Sequence, residues 1–459
     1  MAEEAVQGGN QLEVIAEFDG ELFTDLKAMI EPFYVEDPNI TIYKLPEPIL
    51  KVEEDVYQTR YMSLVADTTY DLDLIRDESK RAHSIRHLHS ILTRNPNRTL
   101  EDYLMAMYEM KVRIKRCHYV EIEIDFQRLI WLVVDGCFIV DVLLMFYEGR
   151  LTPKVDSICA SNLHYLWIDL LLVENQYPFF AAEKIFDMVV EDKSEFPSLV
   201  ELALNLFDNF IQRDLQKPVM DSKSVHHLLH LVHHQLHLSN PSKPLTSILN
   251  RPGDSPLPLL PVSNRSPSKQ LFIMKPIPSA RMLQDVGIKF KKKEGSGFQD
   301  VSFKNGVLEI PHLYVHSNTK VLLRNLIAWE QCHHAAGTYF TSYAIFIDYI
   351  VNTEKDIEIL SEAGIIEHSL SSDEDVADIF NGLSMNLVHT GLDNSFLPEL
   401  TKQLNHYCQS NVNKWWAKLM NDYFSNPWSI VSVVAAIVLL VLTFVQTFFS
   451  AYSYFQPPQ

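Results

Sequence analysis

Residues 428–454 read WSIVSVVAAIVLLVLTFVQTFFSAYSY, and from Ile430 to Phe449 no side chain is charged. A hydrocarbon layer of ~30 Å takes about 20 mostly apolar residues as a helix. A helix also satisfies its own backbone in lipid, where nothing else can. Trp428 opens the stretch and Tyr454 closes it, matching the aromatic belts of the two interfaces. The reading is therefore a single transmembrane helix over 428–454. The competing reading is a buried core helix, but such helices usually carry a polar stripe.

Few residues follow the span, so a tail anchor is expected. Lys402, Lys414 and Lys418 precede it and no charge follows, which places the body in the cytosol by the positive-inside tendency. The plasma membrane is one destination. The N-terminus, MAEEAVQGGNQLEVIAEF, is acidic and lacks the basic and apolar regions of a secretory signal. Within the span, Ser432 and Ala436 form a small-residue pair, and Gln446 is polar. These positions would serve self-association and so a homo-oligomer.

The rest of the chain reads as a mainly helical body. At 459 residues it has length for two or three folding units. A net charge of −20 repels phosphate backbones and argues against nucleic acid. Five cysteines without CxxC spacing suit free thiols. Residues 1–40 form an acidic, loosely ordered lead with one helix expected over 21–30. Residues 41–238 are a first helical part. Leu88 and Leu92 mark helical spacing, Pro96 ends that helix, and Thr99 caps the next. FQRLIWLVVDGCFIVDVLLMF (126–146) is interrupted by Asp135, Gly136 and Asp141 and reads as buried core, whole or broken in two. Glu174-Asn175-Gln176 lies between apolar runs and is expected to cap helix ends or hydrogen-bond across the core. Residues 239–270 hold seven prolines and read as a linker. Residues 271–424 combine a small antiparallel β-meander with further helices. Its strands are expected at 287–290, 299–304 and 307–310, the last two joined by Asn305-Gly306, a strong hairpin signal. The lysines at 289 and 291–293 read as a solvated loop.

Residues 224–238, SVHHLLHLVHHQLHL, carry six histidines. His226, His230, His233 and His237 share one helical face and are the candidate metal ligands. Without an HExxH pattern or a nearby cysteine, a solvated or partner-facing stripe is the stronger reading. Cys137 has apolar neighbours and reads as core packing rather than a nucleophile. No phosphate loop, dinucleotide fingerprint or nucleophile elbow occurs, so no cofactor and no catalytic residue is assigned.

Several stretches together resemble the plant family called domain of unknown function 247. They are IYKLP (42–46), VVDGCFIVDVLL (133–144), DLLLVENQYPFF (169–180), PSARMLQDVGIKF (278–290), FKNGVLEIPHL (303–313), RNLIAWEQC (324–332), TSYAIFIDYIV (341–351) and YFSNPWSIVSVVAAIVLLVLTFVQT (423–447). The family's Ser-Ile-Gly-Pro-Tyr-His-His stretch is lost here: Ser63 remains without the Gly-Pro and histidines. The resemblance implies a membrane-anchored plant protein with a helical body. It also implies recognition or signalling by protein contact, with grass members tied to pollen-side self-incompatibility. Loops at 57–69 and 239–270 are the expected contact surfaces for protein partners. An enzyme of unrecognised type and an oligomeric permeation protein are the alternatives.

Overall fold

The computed structural model describes residues 39–64 except 52, 78–151, 160–211 except 195, 220–237, 276–293, 297–387 except 386, 392, 395–409 and 427–455. Nearly all of the acidic lead, residues 65–69 of the first contact loop and the whole proline-rich stretch lie outside these residues. The protein is mainly helical with two small sheets.

In the first half, α1 (Glu47–Leu50), α2 (Glu78–Arg94), α3 (Leu100–Cys117), α4 (Phe126–Tyr147), α5 (Ala160–Asp169), α6 (Phe179–Val189), α7 (Leu199–Ile211) and α8 (Leu228–His237) follow in order. Thr99 starts α3 with a capping box, its side chain accepting from the Asp102 amide while Asp102 accepts from the Thr99 amide. Helix α4 is the hub, with α2, α3, α6 and α7 packed around it. It is apolar and long enough to cross a membrane, yet 83% of that apolar window is buried inside the protein. It forms one unbroken helix; Asp125 caps its start by accepting from the Arg128 amide, and Gly136 lets a neighbour approach closely. A Cβ at Gly136 would stand 2.3 Å from Ile185 Cδ1 and 2.7 Å from the Tyr177 hydroxyl. That hydroxyl donates to the Leu132 carbonyl at 2.8 Å.

Between α5 and α6 the buried chain is irregular, and buried backbone polar groups need partners. Polar side chains supply them. Asp169 accepts from the amides of Arg60, Tyr61 and Met62 at 3.0, 2.7 and 2.7 Å. Asn175 accepts from Leu64 N and donates to the carbonyls of Met62 and Asp169. Glu174 accepts from Leu45 N at 2.7 Å. Gln176 donates to Leu170 and Leu172 and accepts from Leu229 N, the second residue of α8. The Glu174-Asn175-Gln176 run thus bonds across the core as its polarity suggested.

The second half comprises α9 (Ala280–Asp285), β1 (Lys289–Lys293), β2 (Ser302–Lys304), β3 (Val307–Pro311), β4 (Leu313–Val315), α10 (Thr319–Cys332), α11 (Tyr339–Ile350), α12 (Glu354–Glu362), β5 (Ile366–His368), α13 (Asp373–Leu383), α14 (Leu397–Gln409) and α15 (Pro427–Phe455). Asn325 on α10 ties the halves, accepting from Val173 N and donating to the Val56 carbonyl. Asn305 and Gly306 have φ of 52° and 76° and turn β2 into β3.

The sheet is not the antiparallel meander expected from the sequence. The order is β1-β3-β2, with β2 antiparallel to β3 but β1 parallel to it. The Asn-Gly turn fixes β2 on one edge of β3, and β1 takes the edge left open. A second, parallel pair joins β4 to β5. The lysine run is not a loop but β1 itself. Lys291 pairs with Glu309 at 3.0 Å and Lys293 pairs with Asp300. Charged lysines along a sheet edge also discourage further strand pairing.

The acceptor role of Asp169 is testable. Asp169→Asn puts an amide group where three backbone N–H groups converge, and bonds to a charged acceptor contribute about 1.5–3 kcal/mol each. The variant should lose roughly 2–3 kcal/mol of stability, read as a lower chemical-denaturation midpoint at unchanged slope. An unchanged midpoint would remove Asp169 from the load on this segment.

Candidate functional site

Among the described residues three places are candidates for function: the last helix, the histidine cluster and a cleft at Arg324.

Helix α15 covers all four residues expected to mark a span, Trp428, Ile430, Phe449 and Tyr454. At ~1.5 Å per residue its 29 residues run ~43 Å. Every described side chain from Val431 to Phe449 is exposed, with Leu440 at 71% and Phe444 at 72%. Ser432, Ala436 and Gln446 are exposed on it as well. Thr443 and Thr447 return their hydroxyls to the Leu439 and Thr443 carbonyls at 2.7 and 2.8 Å. Both are thereby satisfied within the helix.

The histidines do not form a solvated stripe. They pack against α10 and the start of α11, because Trp329, Phe340 and Tyr339 present aromatic surface there. His226 and His230 stack on each other at 4.4 Å between ring centres, and His230 lies 5.0 Å from Trp329. His237 stacks on Tyr339 at 3.4 Å. His233 bonds Glu330 at 2.8 Å, and both are buried. The Glu330 carboxylate also accepts from the amides of Phe340 and Thr341 and from the Thr341 hydroxyl. His227 accepts from the His230 amide through Nδ1. Its proton therefore sits on Nε2, which donates to the Thr41 carbonyl at 3.1 Å.

The four candidate ligands are not brought to one point. His226 and His230 sit together, His233 is committed to Glu330, and His237 to Tyr339. The Nδ1 of His230 is occupied by the His226 amide. Among the described residues no three His, Cys, Asp or Glu side chains are placed to hold a metal ion. Burial pushes three of the histidines down, His226 to about 4, aided by His333, His234 to about 4, aided by His233, and His237 to about 3, aided by His233 and His234. Sequence reading missed Trp329, Glu330, His333 and Tyr339 as their partners. The signal was a lone glutamate inside the apolar run LIAWEQC.

The cleft is lined by Ile49, Tyr57, Ile327, Gln331 and Met385 around Arg324. Its volume of about 20 Å³ has room for roughly one water, far below the ~300 Å³ at which ligand pockets begin. Arg324 is already engaged. Its Nε donates to Glu53 at 2.9 Å and its terminal nitrogens to the carbonyls of Gly382, Leu383 and Met385.

Two further groupings resemble catalytic sets by composition only. Ser90 and His87 both bond Asp141, at 2.9 and 2.8 Å. A nucleophile needs its base beside it, and here the carboxylate stands between them. Arg94 completes that cluster by bridging Asp141 and Glu148, which pins α2 to α4. Cys137 is buried, and burial together with Asp141 and Asp135 pushes its thiol far up, away from the reactive thiolate.

The sequence profile of a family described as plant protein of unknown function matches residues 42–442. The chain belongs to this family, domain of unknown function 247. The match begins at the first segment held by the Glu174 region and runs into α15. A UPF0481 protein of Arabidopsis thaliana is 25% identical over 90% of this chain and 86% of its own length. A putative UPF0481 protein of the same plant is 21% identical over 94% of each. No solved structure matches the chain.

His226, His234 and His237 set an acid sensitivity. Unfolded, they take a proton near pH 6.5. Folded, His226 and His234 hold out to about 4. The unfolded chain therefore binds more protons in that window, and stability falls as pH drops from 6.5 toward 4. Carboxylates such as Glu148, held low by the Arg94 hydrogen bond, add a loss only below about 4.5. The urea midpoint should be lower at pH 5 than at pH 7.5, and His226→Gln or His237→Gln should shrink the difference. A midpoint equal at both pH values would contradict the burial.

Proposed function

We propose that this protein is a single-pass membrane protein that acts in recognition or signalling through protein contacts. The observation that carries this is α15, an unbroken, uncharged and mostly apolar helix whose described side chains from Val431 to Phe449 are exposed. Such a surface costs free energy in water at ~25 cal/mol per Å² of apolar area. Lipid removes that cost while the helix keeps its own hydrogen bonds. The lysines before the helix put the body on the cytosolic side.

A contact function rather than a reaction is supported by the way the described polar groups are used. Glu330, Asp141, Asp169 and Arg324 are each tied to neighbours within the fold. The family resemblance adds the setting, pollen-side self-incompatibility, as the recognition event this chain would serve. Ser432, Ala436 and Gln446 would be available for lateral contact in the bilayer.

Expressed in plant cells, the full chain should sediment with membranes and resist carbonate extraction. A chain ending at Asn426 should move to the soluble fraction. A truncated chain that still sediments would overturn α15 as the anchor. Protection of the body from protease in sealed cytosol-side-out vesicles would overturn the orientation.

A further inference from the structure

Helix α3 carries a second apolar face. Its inner face buries Tyr103, Met107 and Ile114 against the core. Its outer face exposes Met105 at 57%, Tyr108 at 50% and Val112 at 54%. These lie at three- and four-residue steps, so they form one line along the helix. Glu101, exposed, extends the line at the N-terminal end, and Arg116, exposed, at the C-terminal end.

The line is self-complementary when reversed. About the midpoint between Tyr108 and Glu109, Met105 maps onto Val112 and Glu101 onto Arg116. A second α3 laid antiparallel therefore sets Met105 against Val112 on both sides of the midpoint, where Tyr108, with the Lys111 ammonium 4.0 Å from its ring centre, meets Glu109, and sets acid against base at both ends. That is the requirement of a two-fold interface, where one patch must fit itself. The protein carries −20 overall, which opposes approach of a copy elsewhere on the surface. Along α3 acidic and basic side chains nearly balance, with Glu101, Asp102 and Glu109 against Lys111, Arg113, Lys115 and Arg116. An anionic lipid surface fits less well, because Glu101 and Glu109 are exposed on the same side and would be repelled.

We infer that the outer face of α3, from Glu101 to Arg116, is a homodimer surface that pairs antiparallel with α3 of a second copy. Two chains anchored in one membrane would meet there at raised effective concentration, but the pairing does not depend on the anchor.

Charge reversal of the full chain in detergent, followed by sedimentation equilibrium, tests it. Glu101→Lys and Arg116→Glu should each weaken the dimer about ten-fold, since each two-fold pair is struck twice. Glu101→Lys/Arg116→Glu together should restore it to within about two-fold of the original. An equimolar mixture of the two single variants should also restore it. Circular dichroism confirms that each exposed-site variant is folded. Single reversals without effect, as when α15 alone holds copies together, would overturn the surface. So would a double variant that stays weak, or an original chain that is monomeric throughout.

Discussion

The fold depends on one stretch of buried chain that is neither helix nor strand. From Asp169, the last residue of α5, the backbone crosses the interior to Gln176 without a ladder of its own. Four polar side chains in that stretch, with Asn325 from α10, take up the resulting obligations. In doing so they collect parts far apart in sequence: Leu45 and Arg60–Leu64 from the N-terminal segment, α8 through Leu229, and α10. The hydrophobic effect brings these elements together without direction. The hydrogen bonds select one arrangement, because any slip leaves buried donors without acceptors.

Charges inside the body follow the same rule. Asp141 is held by His87, Ser90 and Arg94, and Glu330 by His233 and the start of α11. Each links two or more elements. Both carboxylates are thereby engaged inside the fold.

Much of this was legible in the chain. The helices after Thr99 and Ser372 begin at residues whose side chains accept from the first turn. The Asn305-Gly306 turn appears where local φ preference demands it. What local pattern does not carry is pairing across distance. Nothing near Lys289 says that β1 runs parallel to β3, or that Leu313 meets Ile366 across fifty-odd residues. The histidine helix misled for the same reason. Its ring spacing is visible in sequence, but the aromatic surface that buries it comes from Trp329 and Tyr339, about a hundred residues on.

The most direct measurement is amide hydrogen exchange across Val431–Phe449 of the full chain, in lipid nanodiscs and then in a lipid-free, detergent-free solution. A helix that lives in a bilayer should exchange slowly over its whole length in nanodiscs, and the lipid-free chain should aggregate or lose that protection. A monodisperse lipid-free chain with the same protection over those residues would contradict the account.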